Sequence, residues 1–217
     1  MAKIESKDSH LRDILKDELY YQIPIYQRPY QWTEENCEKL LDDLFFNYED
    51  DRESDYFCGS LVLITISEDS KAKTYDVVDG QQRLSTFILL AKVLATLYSE
   101  RFDPERKSQE YLQESWSDRH EYKGKKKKKR LDFDLVGSSA KKDFQDALDF
   151  FDDLDASKGE NSKSNGSSKS KNNYLKNAIC LKNYLEKKRL KTLTISLIGC
   201  IVMSYLSPSL ALMQTKR

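Results

Sequence analysis

Apolar residues recur at helical spacing in five segments of the chain: 9–19, 34–48, 81–102, 140–155 and 174–190. Thr33 is a good N-cap for the second of these segments, and its apolar residues lie on one face. The third segment is apolar on most sides, which is typical of a helix at the centre of a domain. The pattern therefore predicts one short helix and four longer ones.

Two segments rich in β-branched and aromatic residues, 56–66 and Thr74–Val78, are separated by a polar turn and predict a β-hairpin. Residues 20–32 contain Pro24 and Pro29, which exclude a helix interior. This stretch predicts an edge strand that leads into a loop. The fold class is therefore α+β (α/β), with a small mixed sheet packed against helices.

Low-complexity segments interrupt the second half of the chain at residues 123–130 and 157–173. They lack apolar side chains to bury, so we interpret them as linkers or loops. We divide the chain into a core at 1–105, a helical extension at 106–192 and an atypical tail at 193–217.

Charge and cysteine usage exclude several classes of protein. Lysine plus arginine and aspartate plus glutamate are equal at 36 each in 217 residues, so the whole chain has no net field that would select a nucleic acid or a membrane. The four cysteines form no CxxC pair, which argues against a disulfide framework or a zinc site. With no leader sequence at the first residues, we predict a cytoplasmic protein.

The segment Asp79-Gly80-Gln81-Gln82-Arg83 places polar side chains where a predicted strand runs directly into the apolar helix. The first N–H groups of a helix have no partner within the helix and attract anions. Arg83 adds a guanidinium suited to phosphate, Asp79 can hold Mg²⁺, and Gln81 and Gln82 can orient a water or a phosphate oxygen. The alternative is structural: Asp79 caps the helix, Gly80 permits a tight turn, and the Gln-Gln-Arg trio ties the helix end to a neighbouring strand.

A second polar cluster lies among aromatic residues at 23–32, with the sequence IPIYQRPYQW. Its arginine and glutamines can bind phosphate while an aromatic ring stacks on a base. It can equally form the edge of the core, with Arg28 in a salt bridge. Spacing alone does not separate the two interpretations.

Taken in order, IPIYQRPYQW, YFCGSLVLI and DVVDGQQRLSTFILL resemble the N-terminal domain of the GmrSD-type, modification-dependent restriction enzymes. The core of that family is similar to ParB and sulfiredoxin. The resemblance covers residues 5–100 and continues weakly through 129–149. It implies a domain that binds and hydrolyses a nucleoside triphosphate, GTP or ATP, in defence against foreign DNA.

The resemblance also implies roles for residues of this chain. By position, Asp79, Gly80, Gln81, Gln82 and Arg83 would form the nucleotide site. The residues that would face this site from the first strand are Tyr26, Gln27 and Arg28. In this hypothesis both arginines contact phosphates, Asp79 contacts the metal or water, and the paired glutamines orient the attacking water.

Several features of the sequence depart from the family pattern. The HNH nuclease found in full-length members needs clustered histidines, whereas His10 and His120 are far apart, so we predict no nuclease activity from this chain alone. A nuclease domain or subunit would come from another chain.

The sequence around Cys58 lacks the cysteine-containing loop that sulfiredoxin chemistry needs, so we interpret Cys58 as a buried strand cysteine. The basic run Lys125–Arg130 attracts DNA without sequence choice, or is a solvated loop.

The tail at 193–217 does not continue as the family does, with a strand and a helix. Its apolar run is shorter than the roughly 20 residues that cross a bilayer, so a membrane anchor is not favoured. Another reading frame of its end permits a sequence that resembles the next family helix. We hypothesise a frame shift after about Lys191 and a truncated family member, which sequencing of the gene would test.

Two interpretations of the whole chain compete with the nucleotide-hydrolysing one. The first is a non-catalytic module that senses nucleotide or binds DNA or a partner, and the second is an inactive remnant.

Overall fold

The computed structural model describes residues 4–16, 18–50, 57–68, 72–97, 112–117, 128–133, 138–156, 171–191 and 209–216. Their strands are β1 (Ile4–His10), β2 (Leu19–Ile23), β3 (Phe57–Glu68), β4 (Lys73–Asp79), β5 (Leu131–Phe133) and β6 (Ser209–Lys216). Their helices include the single turn α1 (Leu11–Ile14) and the longer helices α2 (Glu34–Asp50), α3 (Gln81–Leu97), α4 (Ser138–Ala156) and α5 (Asn173–Lys191).

The six strands form one mixed sheet in the order β1-β6-β3-β4-β2-β5. The predicted hairpin is confirmed, because β3 and β4 pair in antiparallel fashion. Strand β2 runs parallel to both β4 and β5, so these three strands end at the same edge of the sheet. The mixed sheet with its packed helices confirms the predicted α+β class.

Two local predictions were wrong. Strand β2 is not an edge strand, because Tyr21–Ile23 pair with the three residues of β5. Both prolines lie beyond the end of β2, so they remove no hydrogen bond from the sheet. The helix predicted at 9–19 is a single turn, because residues 4–10 form β1 and pair with the distant strand β6.

Helix α3 is buried on nearly all sides and lies at the centre of the molecule, as predicted. Helix α5 packs against α2, α3 and α4. One hydrophobic core includes Leu63 and Phe87 from the first half of the chain and Phe144, Phe151 and Leu181 from the second half. The helices of the predicted extension therefore share their core with the sheet.

The end of the lysine-rich segment has a structural role that its composition did not indicate. Arg130 is only 1% exposed, and its guanidinium group donates hydrogen bonds to the backbone oxygens of Glu114 and Leu19 at 2.8 and 2.6 Å. It thereby fixes the start of β2 beside β5. Residues 123–127, 157–170 and 192–208 lie outside the described part of the chain. Within the described part, no helix has the length and apolar character that a membrane span requires.

Candidate functional site

The junction between β4 and α3 depends on Gly80. This residue has a φ of 90°, a region in which side chains other than glycine are strained. A Cβ atom at this position would lie 2.9 Å from the backbone oxygen of Ser60 and from Cδ1 of Leu61. The sequence interpretation of Gly80 as the residue that permits a tight turn thus has a direct geometric reason.

The two glutamines at the start of α3 bind the loop Pro24–Thr33, which connects β2 to α2. Gln81 Nε2 donates to the backbone oxygen of Arg28 at 2.8 Å. Gln82 Oε1 accepts hydrogen bonds from the backbone nitrogens of Gln31 and Trp32 at 2.8 and 3.2 Å. Both glutamine side chains are buried, so these bonds hold the two sequence motifs together out of water.

The same loop is attached to the sheet by Gln27. Its Nε2 donates to the backbone oxygen of Val78 at 2.7 Å, and its backbone nitrogen closes a turn on Pro24 at 3.0 Å. The turn exposes Ile25 and Tyr26, each at 62%. The Pro24–Thr33 loop is therefore fixed to β4 and α3, while its tip faces solvent.

Arg83 and Asp79 lie on the side of α3 that faces β3. Arg83 Nη2 donates to the Ser60 backbone oxygen at 2.7 Å and lies 3.9 Å from Asp79 Oδ2. The side chains of Arg83 and Asp79 are 30% and 67% exposed. Within the described residues, the buried Nε atom of Arg83 has no hydrogen-bond partner.

A cavity of about 300 Å³ lies at the edge of the sheet where β2 and β5 end. Its lining residues are Ile23, Gln27, Arg28, Pro29, Tyr30, Gln81, Phe133, Ser139, Ala140, Asp143, Lys171, Asn173 and Tyr174. The structure thus brings together Gln27, Arg28 and Gln81 from the predicted site. The other predicted residues, Tyr26, Asp79, Gly80, Gln82 and Arg83, are not among the lining residues of this cavity.

Sequence reasoning missed the side of the cavity that α4 and α5 provide. Asn172 Oδ1 accepts a hydrogen bond from the backbone nitrogen of Leu175 at 3.0 Å and so caps α5. Asparagines directly before an apolar helical pattern are a recognisable N-terminal signal. That signal predicts where α5 begins, but it does not predict that α5 begins beside Arg28.

A buried network built around Tyr30 fixes this side of the cavity. The Tyr30 hydroxyl lies 2.7 Å from Thr86 Oγ1, and Asn177 Nδ2 donates to it at 2.9 Å. The Tyr30 ring stacks on Tyr174 with centroids 4.1 Å apart. Burial raises the pKa of the Tyr30 hydroxyl, which therefore stays protonated at neutral pH. Loop, α3 and α5 are consequently held in one arrangement.

The candidate metal ligands of this region are single carboxylates, Asp79 at the end of β4 and Asp143 in the cavity lining. The described residues contain no group of three or more His, Cys, Asp or Glu side chains that could hold a metal ion. Mg²⁺ bound with substrate phosphates needs only one or two carboxylates, which Asp79 or Asp143 can supply. A larger cavity of about 410 Å³ between α2 and α5 is lined by three carboxylates, of Glu34, Glu38 and Asp42, and one cation, Lys187, so its excess of negative charge disfavours phosphate.

Cys58 lies in β3 and is buried, as the sequence predicted. Burial raises the pKa of its thiol to about 12, and it does the same for Cys37 and Cys180. The thiolate form that nucleophilic chemistry requires is therefore disfavoured at neutral pH.

The raised pKa values of these three thiols predict that the folded protein loses stability at alkaline pH. Their ordinary pKa is 9.0 and their folded pKa is about 12, so between these values the unfolded chain releases protons that the folded chain retains. The free energy of unfolding should fall as pH rises above about 9. Urea denaturation at pH 8, 9 and 10 measures this, with Cys58→Ala expected to show a shallower decline. A free energy that stayed constant over this range would contradict the prediction.

The fold and cavity define an α+β domain with a partly cationic cavity at the carboxyl ends of parallel strands. A family model described as the GmrSD restriction endonuclease, N-terminal domain, matches residues 11–213. The chain belongs to this family, which places it among restriction and defence proteins. No curated protein matches the chain.

Proposed function

We propose that this domain binds a nucleoside triphosphate, GTP or ATP, in the cavity beside Arg28 and hydrolyses it in support of restriction of foreign DNA. Family membership supports the defence role. The nucleotide role depends on the chemistry of the cavity.

One observation carries the nucleotide proposal: Arg28 and Gln81, from two distant motifs, line one cavity where parallel strands end. Ligands of α/β proteins bind at the carboxyl ends of such strands, and a guanidinium group suits a phosphate. Tyr30, Phe133 and Tyr174 give the cavity an aromatic wall on which a planar base can pack. The cavity therefore offers Arg28 to an anionic group and its aromatic wall to a planar base.

Residues around the cavity have distinct roles in this proposal. Arg28 binds phosphate oxygens, while Gln81 and Gln82 hold the loop that presents Arg28. Arg83, at the start of the same helix, is 30% exposed and would supply a second positive charge to a nucleotide that extends beyond the cavity. Mg²⁺ at Asp79 or Asp143 would neutralise phosphate charge when bound.

A non-catalytic nucleotide sensor is the second candidate function. The side chains of Gln81 and Gln82 are engaged with the loop backbone, where they are poorly placed to orient an attacking water. A sensor would bind nucleotide and change its contacts with DNA or a nuclease partner without releasing phosphate. Binding alone therefore does not distinguish the two functions, whereas turnover does.

Replacing Arg28 with alanine is expected to weaken binding of GTP or ATP with Mg²⁺ by at least about tenfold, because a charge-assisted hydrogen bond is lost. Arg28 is exposed, so folding should be unaffected. Isothermal titration calorimetry measures the affinity. Arg12→Ala is the matched control, since Arg12 is 55% exposed and does not line the cavity. Equal affinities of wild type and Arg28→Ala would remove Arg28 from the site.

A further inference from the structure

The composition of residues 157–173 predicts a linker, yet two residues at the end of this segment line the cavity. Lys171 and Asn173 face the same space as Arg28 and Gln81. Lys171 is exposed, so its ammonium group remains accessible to a ligand. The segment thus contributes side chains to the candidate site itself.

The position of Lys171 is determined by the residues that follow it. Asn172 Nδ2 donates to the backbone oxygen of Asp143 in α4 at 2.7 Å. Asn173 Nδ2 donates to the backbone oxygen of Tyr30 in the Pro24–Thr33 loop at 3.4 Å. The two residues that follow Lys171 are therefore tied to α4 and to the loop that carries Arg28, and this places Lys171 at the cavity.

Further hydrogen bonds fix the approach of α5 to the loop. Asn177 is 1% exposed, and its Nδ2 donates to the backbone oxygen of Trp32 at 2.8 Å as well as to the Tyr30 hydroxyl. Bonds of this kind between buried groups are costly to break. These bonds fix the first turns of α5, which follow Lys171, against the loop that carries Arg28.

The charges of the cavity favour an anion that contacts both cations. Its charged lining residues are Arg28 and Lys171, which are positive, and Asp143, which is negative. Two cations that line one cavity repel each other, and a polyanion bound between them offsets that repulsion. A phosphate chain fits this requirement, and it leaves Asp143 to interact with a divalent cation.

We propose that Lys171 is a second phosphate-binding residue of the cavity, so that a bound triphosphate bridges the Pro24–Thr33 loop and the start of α5. This inference rests on the proposed nucleotide function and extends it. It assigns a ligand-binding residue to the helical second half of the chain, whereas the motif around Arg83 lies in the first half. Nucleotide binding would then strengthen the contact between the two halves of the domain.

The test measures binding of GTP, ATP and inorganic triphosphate, each with Mg²⁺, to the full chain by isothermal titration calorimetry. Lys171→Glu is expected to weaken binding by at least about tenfold, because a favourable charge becomes repulsive. Lys171→Arg keeps the charge and should retain binding close to that of wild type. Lys7→Glu is the control, because Lys7 is exposed on β1, at the opposite edge of the sheet from β5.

The outcomes separate this inference from the function on which it rests. Nucleotide binding that is equally tight in wild type and Lys171→Glu would overturn the role of Lys171 and leave the nucleotide site intact. Binding of inorganic triphosphate alone, lost in Lys171→Glu, would support the role of Lys171 and refute the nucleotide function. Wild-type protein that binds none of the three probes would overturn both.

Discussion

Replacing Gln82 with alanine is expected to lower the free energy of unfolding by about 2 to 4 kcal/mol, because backbone groups that Gln82 serves would lose their partners. Its Oε1 accepts hydrogen bonds from the backbone nitrogens of Gln31 and Trp32, and its Nε2 donates to the backbone oxygen of Pro29 at 3.3 Å. Gln82 is 8% exposed, so water cannot readily replace the lost amide. Urea denaturation measures the change.

Gln145→Ala is the matched control for this substitution. Gln145 is also a helical glutamine, but its amide donates to the exposed side chain of Asp149 on α4. A change within about 0.5 kcal/mol is expected there, as for most surface substitutions. If Gln82→Ala were equally mild, Gln82 would not be the residue that ties the Pro24–Thr33 loop to α3.

Replacing Gly59 with alanine is expected to destabilise the fold by about 1 to 3 kcal/mol, mainly through backbone strain and also by displacing the Arg83 guanidinium. Gly59 has a φ of 104°. A Cβ atom at this position would lie 2.4 Å from Nη1 and 2.8 Å from Cζ of Arg83. The guanidinium group thus packs directly on the Gly59 backbone, and alanine would displace it from the Ser60 oxygen.

A double-mutant cycle separates the two causes. In an Arg83→Ala background the overlap is absent, so Gly59→Ala should then cost only the strain of the left-handed backbone, about 1 to 2 kcal/mol. Thermal or urea denaturation of the four proteins gives the coupling energy. If the free-energy changes of the two single substitutions were additive in the double variant, Gly59 would not position Arg83.

The elements that the sequence predicted well are those with a strong local pattern. Helix α2 begins after Thr33 as predicted, and α3 and the β3–β4 hairpin follow from their hydrophobic spacing. Strand β5 has only three residues, and β1 exposes Glu5, Lys7 and Asp8. Such strands exist because distant strands pair with them, and no local pattern records that pairing.

For the candidate site too, the sequence predicted the features with distinctive local residues and missed the contacts between distant segments. The sequence located the junction at Gly80 and the loop that carries Arg28, since both have distinctive residue types. Its structural alternative tied the Gln-Gln-Arg trio to a neighbouring strand, which holds for Arg83 and the Ser60 oxygen in β3. It did not predict that the partners of Gln81 and Gln82 lie in this loop, because those partners are about fifty positions away along the chain. Lys171 lay in a segment whose composition indicated a linker, so its place in the cavity required the fold.

Turnover of nucleoside triphosphate at the cavity distinguishes a hydrolase from a nucleotide sensor. The most direct test is phosphate release from GTP and ATP with Mg²⁺ by the purified chain, beside Arg28→Ala and Arg83→Ala, with Arg12→Ala as control. We predict release by wild type and Arg12→Ala and a loss of at least about tenfold in the other two variants, each confirmed as folded. Folded wild-type protein that binds nucleotide without releasing phosphate would contradict hydrolysis and favour the sensor.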